Sequence, residues 1–234
     1  LAVTETTRQR LIAKFPMAEE KTSVVYEGVI RLDVNSMRRS SRLFPFDRDV
    51  VLFLGTIEPR KNLRMAIDAF DLFLQQHPES ASSTRFIFAG KNGWGTEELL
   101  LQIKQINHAW SEYEPDGVIR LLGVVTEEEK WTLLHRAAAF VYPSFYEGFG
   151  LPVLEAMSVG TPVIISRESA LLEVTGDAAI PIAFEDVEGM SLAISQCVLL
   201  PDAVSLLRED AIARAKLFSW ERAAEETLRE IETI

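Results

Sequence analysis

"VVLFLGTIEPRKNLRMAIDAFDLFLQQH", from Val50 to His77, joins the two patterns that decide the fold. Its first six residues are apolar up to Gly55, which reads as a strand buried on both faces. Beyond the turn, Leu63, Ile67, Phe70 and Leu74 recur at helical spacing and give one apolar face, so a helix runs to about residue 77. The alternation continues downstream. Strands are expected at 85–90 ("RFIFAG"), 118–123 ("VIRLLG"), 138–143 ("AAFVYP"), 162–166 ("PVIIS") and 178–182 ("AAIPI"). Thr126 and Glu129 form a capping box that opens the helix carrying Trp131 and Leu134. Pro152 suits the first turn of another helix, which Gly160 and Pro162 end. Apolar strands separated by helices mean a parallel sheet covered on both faces, a doubly wound α/β domain. After residue 184 only helices are expected, at 185–200, at 202–217 and after a cap at Ser219.

Residues 1–45 do not share this alternation. "TETTRQRLIAKFP" reads as a helix, "TSVVYEGVI" as a strand and "NSMRRSSRLFPFD" as a polar connector. Such a piece is too small to be a domain. It is either an edge of the same sheet or the remnant of a neighbouring domain, with the regular domain spanning 46–234. The net charge of −11 argues against general attraction to nucleic acid or to an anionic membrane. A single cysteine, Cys197, excludes an internal disulfide framework. No apolar run reaches the length of a membrane span, and the first residues turn polar too soon for a signal peptide. The expectation is a soluble, cytoplasmic protein.

In open parallel sheets, ligands bind beyond the carboxyl ends of the strands. Three strands end there in Gly55, Gly90 and Gly123, where glycine lets a ligand approach the backbone. Arg60 and Lys61 follow the first of them, at the start of a helix whose N-terminus is already positive. An anion between them and the free N–H groups would explain that placement; a solvated pair bridged to Glu58 or another acid is the bland alternative. "FYEGFGLPVLE", Phe145 to Glu155, offers a second anion cradle, because Gly148 and Gly150 clear the backbone just before a helix begins near Leu151–Pro152. Glu155 lies one turn into that helix, where a carboxylate could accept two ribose hydroxyls. Tyr142, Phe145 and Phe149 read as packing residues. No P-loop, complete dinucleotide fingerprint, zinc spacing or G-x-S-x-G is present, and "DRD" (47–49) sits at the wrong end of a strand for a site.

"EGFGLPVLE" resembles the E-x7-E motif of retaining glycosyltransferases with the GT-B fold, in particular family 4. "GTIEPRKN", "AGKNGWG", "LLGVVTEEE", "FVYPSFYEGFGLPVLEAM", "GTPVI" and "FSWERAAEETL" follow in that family's order. The resemblance implies two Rossmann-like domains across a cleft, this chain being the C-terminal, donor-binding one. Residues 1–45 would then be the remnant of the N-terminal, acceptor-binding domain and the linker.

By the same resemblance, Arg60 and Lys61 neutralise the donor diphosphate and Glu155 holds the ribose. Glu147 faces the donor sugar and the reaction centre, and is the catalytic residue. Gly55 and the segment Gly148, Phe149, Gly150 and Leu151 line the donor, while Val125 and Lys130 lie near the base. Thr56 stands where many members carry a further arginine, and Glu27 departs from a usual N-G-V turn. No divalent metal and no other cofactor is implied. The donor is a nucleotide sugar, GDP-mannose first and a UDP-sugar second, and the acceptor a sugar or lipid-linked sugar. The chain alone would be inactive without the acceptor domain, through which any peripheral membrane attachment would come. A non-catalytic nucleotide-sugar-binding module and a UDP-sugar epimerase of the same fold are the alternatives.

Overall fold

The computed structural model describes residues 1–30, 48–167 and 170–232. Strand β1 (Asp49–Leu54) lies mid-sheet, and Val50 to Leu54 are all buried, as an unbroken apolar run requires. It pairs in parallel with β2 (Thr84–Ala89) on one side and β4 (Ala139–Tyr142) on the other. Strand β3 (Ile119–Gly123) joins β2, β5 (Val163–Ser166) joins β4 and β6 (Ile180–Ile182) joins β5, all in parallel. Among the described residues this gives one six-stranded sheet in the order β3-β2-β1-β4-β5-β6. That is the doubly wound, Rossmann-like arrangement, in which the strand order reverses between β1 and β4.

Right-handed crossovers then send the helices to opposite faces on the two sides of the reversal. Helices α2 (Leu63–Gln76), α3 (Glu97–Ala109) and α7 (Val187–Leu199) form one group. A second group contains α4 (Glu127–Arg136), α5 (Leu151–Ser158), α6 (Leu171–Thr175) and α8 (Ser205–Ala215). Phe70 of α2 meets Phe86 of β2 and Phe73 of its own helix inside the core, and none of the three is exposed to solvent. Truncating one such ring to alanine would cost about 3–5 kcal/mol. The last helix, α9 (Trp220–Glu232), follows Ser219, whose hydroxyl accepts from the Arg222 amide as a cap.

Two expectations need correction. Strand β3 is not buried throughout: as an edge strand it alternates, and Leu121 is exposed. Nor is "TSVVYEGVI" a strand of the sheet. Its described pairing is a single bridge between Ala2 and Val24, and the segment lies against helix α1 (Glu5–Lys14) rather than along either edge strand, β3 or β6. The connector expected at 35–47, including Asp47 of "DRD", lies outside the described residues. Of the described part of "DRD", Asp49 is exposed, as a solvated turn would be, while Arg48 is half-buried and donates to Glu114 at 2.5 Å, beside the fully buried Arg85, which pairs with the same carboxylate.

Candidate functional site at the sheet reversal

The segment after β1 and the segment after β4 flank the reversal point, and a backbone hydrogen bond from Phe145 N to Arg60 O (2.9 Å) ties them together. The first segment leaves Gly55, closes a single 3-10 turn at Pro59–Lys61 and passes Asn62 in the left-handed region before entering α2. The turn directs Arg60 and Lys61 toward the second segment. Lys61 Nζ donates to Glu147 Oε1 at 2.6 Å and to the Tyr142 hydroxyl at 2.6 Å. Arg60 Nη1 reaches the same Oε1 at 3.0 Å, and its Nη2 reaches Glu58 at 2.8 Å. Both basic residues are bridged to acids, though only Arg60 remains solvated. Arg60 is bridged to Glu58, as the bland alternative had it, while Lys61 is buried and bound to Glu147.

These neighbours shift the charges in opposite directions. Burial pulls the Lys61 ammonium below its usual range, and Glu147 only partly restores it. Burial also works against Arg60, but that side chain keeps 40% of its surface, so Glu147 and Glu58 win and raise it. The Tyr142 hydroxyl is pushed up, first by burial and then by Glu147. Lys61 is bound to Glu147 just before α5, and Glu155 lies in the second turn of α5, so Lys61 and Glu155 flank the start of the same helix.

Glu155 projects from α5 and accepts from Lys130 Nζ of α4 at 2.7 Å. Lys130 also contacts Glu127 at 2.9 Å, and these two acids raise it against the effect of burial. Val125, just before the Thr126 cap of α4, is half-buried against the core. Between the two acids, Gly148 to Gly150 lead into Leu151, the first residue of α5, with Pro152 in the first turn. Phe149 is a packing residue, as expected: its buried ring meets Phe218 edge-on at 5.7 Å. Gly150 has φ +94, and a Cβ there would lie 2.2 Å from Leu171 Cδ2. Only glycine fits. At Gly90 close backbone packing alone requires glycine, since a Cβ would strike the Gly55 carbonyl oxygen at 2.0 Å.

Among the described residues, the amides of Phe149, Gly150 and Leu151 have no acceptor, and Oε2 of Glu147 and of Glu155 receive no hydrogen bond. Donors and acceptors therefore alternate along one rim: Arg60, Glu147, three amides, Glu155, Lys130. Such an array can hold an anion flanked by hydroxyls. A neighbouring cleft of about 330 Å³ opens between the starts of α2 and α3, beside Ile57, Glu58, Leu99 and Phe145, and includes neither Glu147 nor Glu155. Among the described residues, no three of His, Cys, Asp and Glu gather as metal ligands, and no helix is long and apolar enough to cross a membrane.

Tyr142 joins the site although its sequence reads as packing. Its ring does stack on Phe53, at 5.7 Å, but its hydroxyl meets Lys61. Its place at the carboxyl end of β4, beside the reversal, is the one signal that could have marked it.

Comparison with known proteins places these segments in a family. The family model described as "Glycosyl transferases group 1" matches residues 37–217. The chain is 38% identical over 177 residues to the O-antigen chain mannosyltransferase B of Escherichia coli, covering 76% of this chain and 44% of that protein. It is 30% identical over 243 residues to the D-inositol 3-phosphate glycosyltransferase of a Nocardioides strain, covering 97% of this chain and 52% of the relative. The chain thus spans about half the length of these relatives. Among solved structures, Anabaena HepE, crystallised with UDP and glucose, superposes with a TM-score of 0.81 at 16% identity, over 100% of this chain and 62% of that one. At that identity the likeness shows the fold, that of GT-B glycosyltransferases.

Proposed function

The chain belongs to the glycosyl transferases group 1 family, and on that premise we propose that it is the donor-binding half of a retaining, family 4 enzyme that transfers mannose from GDP-mannose. The observation that carries this reading is the rim itself, with basic groups and free amides between two carboxylates. The resemblance to a mannosyltransferase supports the choice of sugar.

In this reading the diphosphate lies at the N-terminus of α5, against the amides of Phe149, Gly150 and Leu151 and the Arg60 guanidinium. Glu155 accepts the ribose hydroxyls through Oε2, and Lys130 stays beside it or turns toward the base. Val125 and Gly55 border the ligand. Cleavage of the glycosidic bond leaves negative charge on the β-phosphate, and preorganised donors aimed at that charge are worth about 3–4 kcal/mol each. Lys61, too buried to reach far, fixes Glu147 through Oε1. Glu147 Oε2 is then left to face the donor sugar and the positive charge that develops on its anomeric carbon. The charge is met by protein groups, without a divalent metal. The acceptor, a sugar or lipid-linked sugar, would come from a further domain.

The test is calorimetric titration of GDP-mannose and UDP-sugars into the chain and into Glu155→Ala. Loss of a ribose-gripping carboxylate should weaken donor binding at least about tenfold with an unchanged circular dichroism spectrum. Equal affinity in the variant would remove the ribose assignment.

A further inference from the structure

Helix α1 touches the glycine loop directly. Thr4, its N-cap, is completely buried, and its Oγ1 lies 2.8 Å from the Gly148 carbonyl oxygen; Thr7 Oγ1 lies 3.2 Å from the same atom. Thr4 Oγ1 also accepts from Thr7 N at 3.1 Å and lies 2.8 Å from Thr7 Oγ1, so the two hydroxyls and the Gly148 oxygen form one hydrogen-bonded cluster. Val3 packs on Gly148 from the same side, 3.5 Å from where a Cβ would be. The start of α1 is in turn anchored by Glu173 of α6. That carboxylate accepts from Glu5 N (2.6 Å), Thr6 N (2.8 Å), Thr6 Oγ1 (2.8 Å) and the Tyr26 hydroxyl (2.8 Å). The same short helix carries Leu171, which fills the space beside Gly150. Two elements far apart in sequence therefore brace one three-residue loop.

A trans peptide is planar, and its C=O and N–H point in opposite directions. Holding the Gly148 oxygen toward α1 therefore turns the Phe149 N–H away from α1, the direction in which it has no acceptor among the described residues. Gly148 has no side chain to restrict its own rotation, so without the two hydroxyls this peptide plane would be free to swing. Buried carbonyls need donors, and this one is supplied by α1 alone among the described residues. We propose that α1 is a positioning element for the donor: the Thr4 and Thr7 hydroxyls hold the Gly148 carbonyl and so keep the Phe149 amide aimed at the β-phosphate. This rests on the reading of the loop as a diphosphate cradle. Neither threonine touches the ligand; both act through the peptide.

The experiment titrates GDP and GMP, and UDP and UMP, into the full chain, Thr4→Val, Thr7→Val, the double variant and Thr4→Ser, with thermal melts alongside. Valine keeps the shape and removes the donor. For the diphosphate of whichever pair binds, each valine variant should weaken affinity about fivefold and the double variant more, at about one neutral hydrogen bond each. The monophosphate, which lacks the β-phosphate, should change less than about twofold, and Thr4→Ser should restore diphosphate binding. A general loosening of the fold would lower both ligands together and would overturn the proposal. Unchanged diphosphate affinity in folded variants would overturn it too, while leaving the donor reading intact. Should Thr4→Val fail to fold, Thr7→Val and Thr4→Ser carry the same comparison. A wild-type chain that binds none of the four nucleotides would instead overturn the cradle itself, and the positioning role with it.

Discussion

Replacing Glu147 with alanine tests the electrostatics of the site apart from any ligand. In the native chain, the Lys61 side chain keeps only 6% of its surface, and its ammonium has one carboxylate partner at 2.6 Å plus the neutral Tyr142 hydroxyl. Removing that carboxylate leaves a buried charge without compensation, which costs about 3–5 kcal/mol. Arg60 is far more exposed and retains Glu58, so its share is under about 1 kcal/mol. For a chain of this length the loss lowers the melting temperature by about 6–20 °C. The sign of the pH dependence follows from Lys61. Burial already sets its folded value below the usual 10.5, and Glu147 opposes that shift, so the variant's value falls further. Between that lowered value and 10.5 the unfolded chain binds more protons than the folded one, so the variant's stability rises with pH in that window. Urea melts of both proteins from pH 7 to pH 10 should therefore show a gap that narrows as pH rises. A gap independent of pH, or one below about 1 kcal/mol at pH 7, would refute the buried-pair reasoning.

Three further outcomes are expected. Glu173→Gln should destabilise the chain by about 1–3 kcal/mol at pH 7 in chemical denaturation. Because the amides of Thr6 and Glu5 outweigh burial and hold Glu173 below its usual 4.5, the native contribution is complete above pH 4.5 and lost as pH falls through the lower folded value. The variant should lack that acid-linked loss, and parallel pH profiles would contradict the clamp. Gly150→Ala should cost at least about 1–3 kcal/mol from the positive φ alone, with the Leu171 clash in addition, and in a Leu171→Ala background its cost should fall to the φ contribution only; a Gly150→Ala cost of zero in that background, read from melts, would mean φ is not strained. Glu114→Ala should cost about 3–5 kcal/mol by stranding the fully buried Arg85, while nucleotide affinity in calorimetry stays unchanged because this cluster is at the opposite end of the sheet.

The central strands, their order of appearance and the helix caps were legible because each rests on a local pattern. The unbroken apolar run at 50–54, the 3.6 spacing in α2 and the Thr126–Glu129 box all recur in the structure with boundaries within one or two residues. Edge position is not local. Nothing in "VIRLLG" says that β3 has a neighbour on one side only, so its exposed face was missed. "TSVVYEGVI" has strand composition, but composition does not say which partner the segment will meet, and it bridges Ala2 and lies against α1 rather than joining the sheet. At the site, the residue types were readable, and their pairing was not. That Glu147 would bind Lys61 rather than stand apart, and that Glu155 would meet Lys130 from the next helix, depends on side-chain reach across the reversal point. The support from Thr4, Thr7 and Glu173 spans more than 140 residues of sequence and leaves no periodic or motif signal.

A crystal structure of the chain soaked with GDP or UDP addresses the central claim most directly. The account predicts the diphosphate at the N-terminus of α5, in contact with the Phe149 amide and Arg60, and the ribose hydroxyls on Glu155. A nucleotide seated in the cleft between α2 and α3 with the rim untouched, or a ribose turned away from Glu155, would contradict it.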